Sequence, residues 1–152
     1  MQPKAVNASP GQGGFTLVEL LVTIGIIAIL GALAYPSYMQ YTQRSNRTDA
    51  TGALTNAAQI MQRCYSQTYD YTQCVNGSTP PGVTGVTNGY NSPQNYYSIT
   101  LATPATNQYT LTATPVKSPQ TSDAQCTTFT LAQSGLQGST GSATSQACWG
   151  SN

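Results

Sequence analysis

The sequence predicts an α+β fold, in which a long N-terminal helix packs on a small antiparallel sheet of about three to four strands. Three patterns lead to this prediction. An apolar run covers residues 15–35, apolar residues then recur at spacings of three and four over 50–65, and short stretches that alternate apolar with polar residues follow residue 96. The first two patterns are typical of helices and the third of strands. The 152 residues suffice for one domain with one core.

The composition argues against several classes of function. Charged residues make up only 6% of the chain, with 5 Lys and Arg, 4 Asp and Glu, and no His. The pI of 7.6 argues against a strongly basic nucleic-acid binder. Without histidine the chain lacks the commonest general base and the commonest imidazole ligand, and four scattered carboxylates do not suggest a metal cage. We therefore expect no enzyme activity, no metal and no cofactor.

The apolar run that opens the helix is long enough to cross a membrane. Its 21 residues, 15–35, contain one charge, Glu19. As a helix they would cover about 30 Å, which is the thickness of the bilayer hydrocarbon. Lys4 and the free N-terminus favour leaving the leader in the cytoplasm, which would place the rest of the chain outside.

Three interpretations of this run compete. A secretory signal could be cleaved after Ala32-Leu33-Ala34, which matches the small-residue cleavage pattern. A plain single-span anchor explains the length. Neither explains Glu19, since an ionisable residue inside a membrane segment costs about 2.5–3.5 kcal/mol on insertion scales and is usually functional. A third interpretation accounts for Gly14, Phe15 and Glu19 together.

The stretch Gly14-Phe15-Thr16-Leu17-Val18-Glu19-Leu20 resembles the processing site of type IV prepilins. The shared features are a hydrophilic leader, Gly before the cut, Phe after it, Glu at the fifth mature position and an apolar helix. Pro36 lies at mature position 22, where many type IVa pilins also have proline. The close resemblance covers about residues 14–47.

The resemblance implies a maturation and an assembly route. A prepilin peptidase would remove residues 1–14 and methylate the amine of Phe15, leaving 138 residues. Residues 15–35 would form a transmembrane helix and later the filament core, and residues 36–152 would be exposed outside the inner membrane. The expected partners are other pilin subunits and the inner-membrane assembly machinery. The expected location is the bacterial inner membrane and then the extracellular pilus.

Glu19, Phe15 and Pro36 are the residues expected to act in subunit assembly. A lone carboxylate buried in a filament core would be costly unless it is paired. The amine on Phe15 of a neighbouring subunit could neutralise Glu19 and set the axial register.

The first helix is expected to run from about Phe15 to about Tyr65. Pro36 predicts a kink, or a melted stretch between Gly25 or Gly31 and Pro36. The helix then resumes with an apolar face that includes Ala50, Ala53, Leu54, Ala57 and Met61, and Arg44, Arg47 and Arg63 project elsewhere.

The remaining chain is expected to be loops and short strands. Residues 66–95 are rich in Gly, Pro, Asn and Thr and predict a long surface loop. Strands are predicted at 97–101, 109–113 and 126–131, with a hairpin loop at 104–107 and a short fourth strand near Leu136. Residues 138–145 are predicted to be loop.

Four cysteines on a translocated chain predict two disulfides. Of the three possible connectivities we favour Cys64–Cys74, which would tie the helix end to the loop, and Cys126–Cys148, which would close a C-terminal loop. The spacings lack a CxxC knuckle, which argues against zinc. The second pair also resembles the disulfide-bounded C-terminal region of type IV pilins. Trp149 is expected to pack under that loop.

The resemblance implies a structural pilus subunit that supports adhesion, twitching motility or DNA uptake. The small globular part favours a minor pilin. The alternatives are a pseudopilin of type II secretion and a pilus-associated DNA receptor. DNA binding would need a basic face, and only Arg63 and Lys117 clearly lie on the globular part. Two glycosylation triplets, at Asn46 and Asn76, carry little weight.

Overall fold

A computed structural model describes residues 14–75, 81–82 and 84–150 of the chain. The predicted leader lies outside these residues except for Gly14, as does the triplet at Asn76. The chain divides into two compact units between Tyr38 and Met39, and the first helix contributes to both.

Helix α1 spans Leu17–Thr68 without a break, three residues further than predicted. Of the two alternatives expected at Pro36, the melted stretch is absent, because a single proline removes only one main-chain hydrogen bond and the flanking turns retain theirs. The first unit carries an 18-residue window with a mean hydropathy of 2.5, long and apolar enough to cross a membrane. All of its described side chains are exposed in the isolated chain.

In the second unit one face of α1 is buried against a sheet. The buried apolar residues of this face recur at spacings of three and four, as predicted: Ala50, Ala53, Leu54, Ala57, Met61 and Cys64. They share one core with residues of the sheet, including Tyr97, Ile99, Leu111 and Phe129. The amphipathic pattern therefore identified the packing face correctly.

The sheet has five antiparallel strands in sequential order. Their bounds are β1 Tyr90–Asn91, β2 Tyr97–Ala105, β3 Gln108–Pro115, β4 Thr128–Ala132 and β5 Gln137–Thr140. Buried and less buried residues alternate along β3 and β4, as expected for a sheet with one face on the core. The α+β fold is confirmed, and the sheet is larger than the three to four strands expected.

Three local differences from the prediction have physical causes. The hairpin between β2 and β3 is shorter than expected, because β2 continues through Pro104 across a register shift between Ala102 and Ala105. Residues 137–140, expected mostly as loop, pair with β4 although they are polar. A short 3-10 helix, Tyr71–Cys74, interrupts the predicted surface loop, and the Asp70 carboxylate caps its N-terminus.

The C-terminal segment is held by a disulfide and by Trp149. The structure forms Cys64–Cys74 and Cys126–Cys148, the two pairs favoured from the sequence. Helix α2, Ser145–Trp149, brings Cys148 to Cys126. The indole of Trp149 donates a 2.9 Å hydrogen bond to the Gly138 carbonyl and lies edge-on to Phe129. Trp149 therefore packs against the sheet, as predicted.

Candidate functional site

The predicted processing site lies at the start of α1 and is open to solvent. Phe15 is 85% exposed. A Cβ added at Gly14 would meet nothing within 4 Å, so nothing in the described part of this chain requires glycine there. Any requirement for a small residue at Gly14 must therefore come from outside the described part of the chain.

Glu19 has a local role that the sequence analysis did not identify. Its backbone N–H donates a 3.2 Å hydrogen bond to Thr16 Oγ1. Thr16 is the residue directly before the start of α1. Thr16 and Glu19 have the spacing of a capping box, and a carboxylate in the first turn also interacts favourably with the helix dipole. Phe15, Glu19, Leu20 and Thr23 line a cleft of about 230 Å³. The Glu19 carboxylate thus borders an open cleft beside Phe15.

A buried ion pair corrects the prediction that Arg47 projects away from the core. Arg47 Nε donates to Asp123 Oδ2 at 2.7 Å, and its Nη2 donates to Asp123 Oδ1 at 2.9 Å. The two side chains are only 7% and 1% exposed. Asp123 Oδ1 also accepts from the backbone N–H groups of Gln125 and Cys126. The carboxylate is therefore fully engaged between α1 and the segment before β4.

A second buried polar group, Asp49, ties α1 to the turn between β1 and β2. Its carboxylate accepts hydrogen bonds from the Ser92 hydroxyl and, at 3.1 Å, from the Gln94 backbone. Ser92 Oγ in turn accepts from the Tyr97 N–H at 3.0 Å. The charge of Asp49 is thus hidden from the surface.

Tyr97 and Gln120 form a further buried polar contact between the sheet and α1. The Gln120 amide donates to the Tyr97 hydroxyl at 2.7 Å and to the Gln43 carbonyl at 3.1 Å. Burial raises the pKa of Tyr97 to about 12. Tyr96, its neighbour, is only partly buried, and the Lys117 ammonium lies 5.5 Å from its ring centroid. Tyr97 is therefore a core residue, whereas Tyr96 packs partly buried against that core.

The remaining charges of the second unit give it a positive exposed surface. Of the described cations in this unit, Arg44, Arg63 and Lys117 are exposed. Arg47, Asp123 and Asp49 are buried. Among the described acids of this unit only Asp70 is left at the surface, where a hydrogen bond from the Thr72 hydroxyl lowers the pKa of its carboxyl. Among its described residues the second unit therefore exposes three cations and one acid.

The structure does not bring Arg63 and Lys117 together. The loop that carries Lys117 packs on α1 at Gln43, where the Gln43 amide donates to the Pro119 carbonyl at 3.0 Å. Arg63 lies twenty residues further along α1, which is about 30 Å at the rise of an α-helix. Arg44 is the exposed cation next to Gln43. The exposed cations thus lie toward both ends of the second unit rather than in one patch.

Asn46 is not a glycosylation site in the folded protein. It lies inside α1 and is 9% exposed, and its side-chain nitrogen has no hydrogen-bond partner among the described residues. The side chain of Asn46 is therefore not accessible to a modifying enzyme in the folded chain.

An exposed apolar helix with a prepilin processing motif, continuing into a helix packed on an antiparallel sheet, defines a type IV pilin. Two family models match consecutive parts of the chain. The Prokaryotic N-terminal methylation motif matches residues 9–35, and Type IV minor pilin ComP, DNA uptake sequence receptor, matches residues 36–130. Since the second match covers more than half of the chain, the protein belongs to this ComP minor pilin family. A comparison with curated proteins found no match.

The family assignment confirms the resemblance to type IV pilins and favours a minor pilin over a pseudopilin. It also brings forward the DNA-receptor alternative, which the sequence analysis ranked lower because of the scarcity of cations. The low rank of the DNA receptor came from counting every charged residue in the sequence, whether it is buried or exposed. The burial of Arg47, Asp49 and Asp123, which could not be recognised before the fold was known, removes one cation and two acids from the surface of the second unit.

Proposed function

We propose that this protein is a membrane-anchored minor pilin that enters a type IV pilus and binds DNA there. In this proposal residues 1–14 are a leader, 15–35 form the membrane and filament-core helix, and 36–152 lie outside the inner membrane. The methylation motif, together with an apolar helix whose side chains are all exposed in the isolated chain, supports the anchoring. Prepilin peptidase, other pilins and the inner-membrane assembly machinery are the proposed partners.

The first expected result concerns maturation. The mature protein should begin with N-methylated Phe15, because Gly14 and Phe15 are exposed and match the processing motif. Mass spectrometry of the N-terminal peptide from host membranes checks this. Gly14→Leu should accumulate as uncut precursor, since the bulk at this position would face only the enzyme. A mature terminus at Tyr35 would instead identify a secretory signal and remove the anchor.

DNA binding is supported by the sign of the exposed charge. Arg44, Arg63 and Lys117 face solvent, whereas only Asp70 among the described acids of the second unit remains at the surface. Phosphate contacts by such cations supply most of the affinity of non-specific DNA binding. The separation of about 30 Å between the two ends of this surface corresponds to roughly nine base pairs at 3.4 Å each. We infer that duplex DNA lies along the second unit and contacts cations at both ends.

The second expected result tests these contacts. Arg63→Ala and Lys117→Ala should each weaken binding of a duplex, and each should reduce the salt slope of log K by about 0.9, because one phosphate contact is lost. The measurement is fluorescence anisotropy of labelled DNA with the full mature protein in detergent, over a series of salt concentrations. The double variant should lose about twice as much slope.

Matched variants separate charge from shape. Arg63→Lys keeps the charge and should retain the wild-type salt slope, and Asp70→Asn should strengthen binding slightly because it removes the acid at the surface. If Arg63→Ala and Lys117→Ala both bind with the wild-type affinity and slope, these cations do not contact DNA, and the receptor proposal is wrong for this surface. Membrane anchoring and filament entry would be unaffected by that result.

A further inference from the structure

Exposed tyrosines mark the end of the apolar run: Tyr35 is its last residue, and Tyr38 and Tyr41 follow it. Tyr35 is 66% exposed and Tyr38 is 67% exposed. Residues three apart in a helix lie on neighbouring parts of its surface, so the two rings project from one side of α1. Tyrosine combines an apolar ring with a polar hydroxyl, and it is enriched where a membrane helix leaves the hydrocarbon for the headgroup layer.

Pro36 lies between Tyr35 and Tyr38 and independently indicates that this part of α1 is at the depth of the lipid headgroups. It has no N–H, so the Ala32 carbonyl loses its usual hydrogen-bond donor although α1 continues through this point. A carbonyl without its partner is costly in hydrocarbon and is readily hydrated among headgroups. Glu19 and Tyr38 are nineteen residues apart in the sequence, or about 28 Å along a helix, which is close to the hydrocarbon thickness of about 30 Å.

We propose that Tyr35 and Tyr38 bind the headgroup layer of the outer leaflet and thereby set the depth of the helix in the bilayer. The inference rests on the proposed membrane anchoring. The hydroxyls would donate to lipid phosphate or ester oxygens, and the rings would lie beside the upper part of the acyl chains. The partner is a phospholipid surface, and the contact exists before the subunit enters a filament.

The anchor also positions the processing site at the opposite end. The Glu19 carboxylate favours cytoplasmic water, so it draws the helix toward that side. The tyrosine hydroxyls resist this movement because they would have to enter hydrocarbon. Replacing both tyrosines with leucine would extend the apolar run to Met39, so the helix could sink by up to about one turn, or 5.4 Å. Gly14 and Phe15 would then lie further from the membrane surface.

A cysteine introduced between the tyrosines reports this depth. All four native cysteines are in disulfides, so the Ser37→Cys substitution supplies a single reactive thiol. The assay is labelling by a membrane-impermeant maleimide added to the outer side of spheroplasts that hold the full-length protein. We expect Tyr35→Leu with Tyr38→Leu to slow labelling of the introduced thiol roughly threefold or more, because the site sinks below the headgroups. Tyr35→Trp with Tyr38→Trp should restore the labelling rate that the native tyrosines give.

Two controls make the result decisive. Ile27→Cys, in the middle of the run, should stay unlabelled in every background, and its free labelling would show that the anchoring itself is wrong. Tyr69→Leu, at a tyrosine that is 73% exposed in the second unit, should not change the labelling of the Ser37→Cys thiol. Equal labelling of that thiol with the native tyrosines, the leucine pair and the tryptophan pair would overturn the proposal. If the thiol is labelled equally in all three backgrounds but the leucine pair lowers the amount of subunit in sheared filaments, the tyrosines act in subunit contacts instead.

Discussion

Asp123→Ala should destabilise the second unit by about 3–5 kcal/mol, because breaking a buried pair leaves an uncompensated charge. Arg47 would keep its guanidinium, 7% exposed, without the carboxylate that accepts from two of its nitrogens. The backbone N–H groups of Gln125 and Cys126 would lose the same acceptor. For a unit of this size the loss corresponds to roughly 10–20 °C in Tm.

The single tryptophan provides the measurement. Trp149 packs against Phe129 in the sheet, so its fluorescence follows unfolding of the second unit in heat or denaturant. Asp70→Ala is the matched control, since it removes a carboxylate that stays at the surface and should cost much less. Arg47→Met with Asp123→Leu should recover part of the stability, because two apolar side chains can replace a buried pair, while the backbone N–H groups of Gln125 and Cys126 still lack their acceptor. Equal loss in Asp123→Ala and Asp70→Ala would contradict the buried pairing.

Glu19→Val should reduce entry into filaments roughly tenfold or more, since a loss of about 1.4 kcal/mol already changes an equilibrium tenfold. The expected reason is the missing partner for the Phe15 amine of a neighbouring subunit. The cleft that Glu19 lines beside Phe15 is open in the isolated chain and offers room for such a group. Membrane insertion should continue, because it depends on the apolar run.

Glu19→Gln distinguishes pairing from helix capping. Glutamine can serve in a capping box with Thr16 but carries no charge. If the carboxylate pairs with an amine, Glu19→Gln should fail like Glu19→Val, and Glu19→Asp should be intermediate because of its shorter reach. If Glu19 acts only on the helix terminus, glutamine should restore assembly. The measurement is the ratio of sheared-filament to membrane-bound protein, with the processed fraction checked in each variant.

Local patterns were sufficient to predict much of this molecule. The processing motif, the apolar run and the apolar face of α1 depend on neighbouring residues, since a helix brings positions three and four apart onto one side. The alternation in β2 and β3 predicted strands for the corresponding reason. The pairs Cys64–Cys74 and Cys126–Cys148 could be favoured because only three pairings exist and both favoured pairs are close in the chain.

The arrangement of charge depended on the tertiary structure. Arg47 and Asp123 are 76 residues apart, and no local pattern distinguishes them from Arg63 or Asp70 at the surface. The polar residues 137–140 likewise form a strand only because β4 offers them an edge. In each case the free energy comes from a partner distant in the sequence, through a buried hydrogen bond or a strand ladder. Counting charges in the sequence therefore could not show that folding buries Arg47 together with Asp49 and Asp123 and leaves three cations and Asp70 at the surface of the second unit.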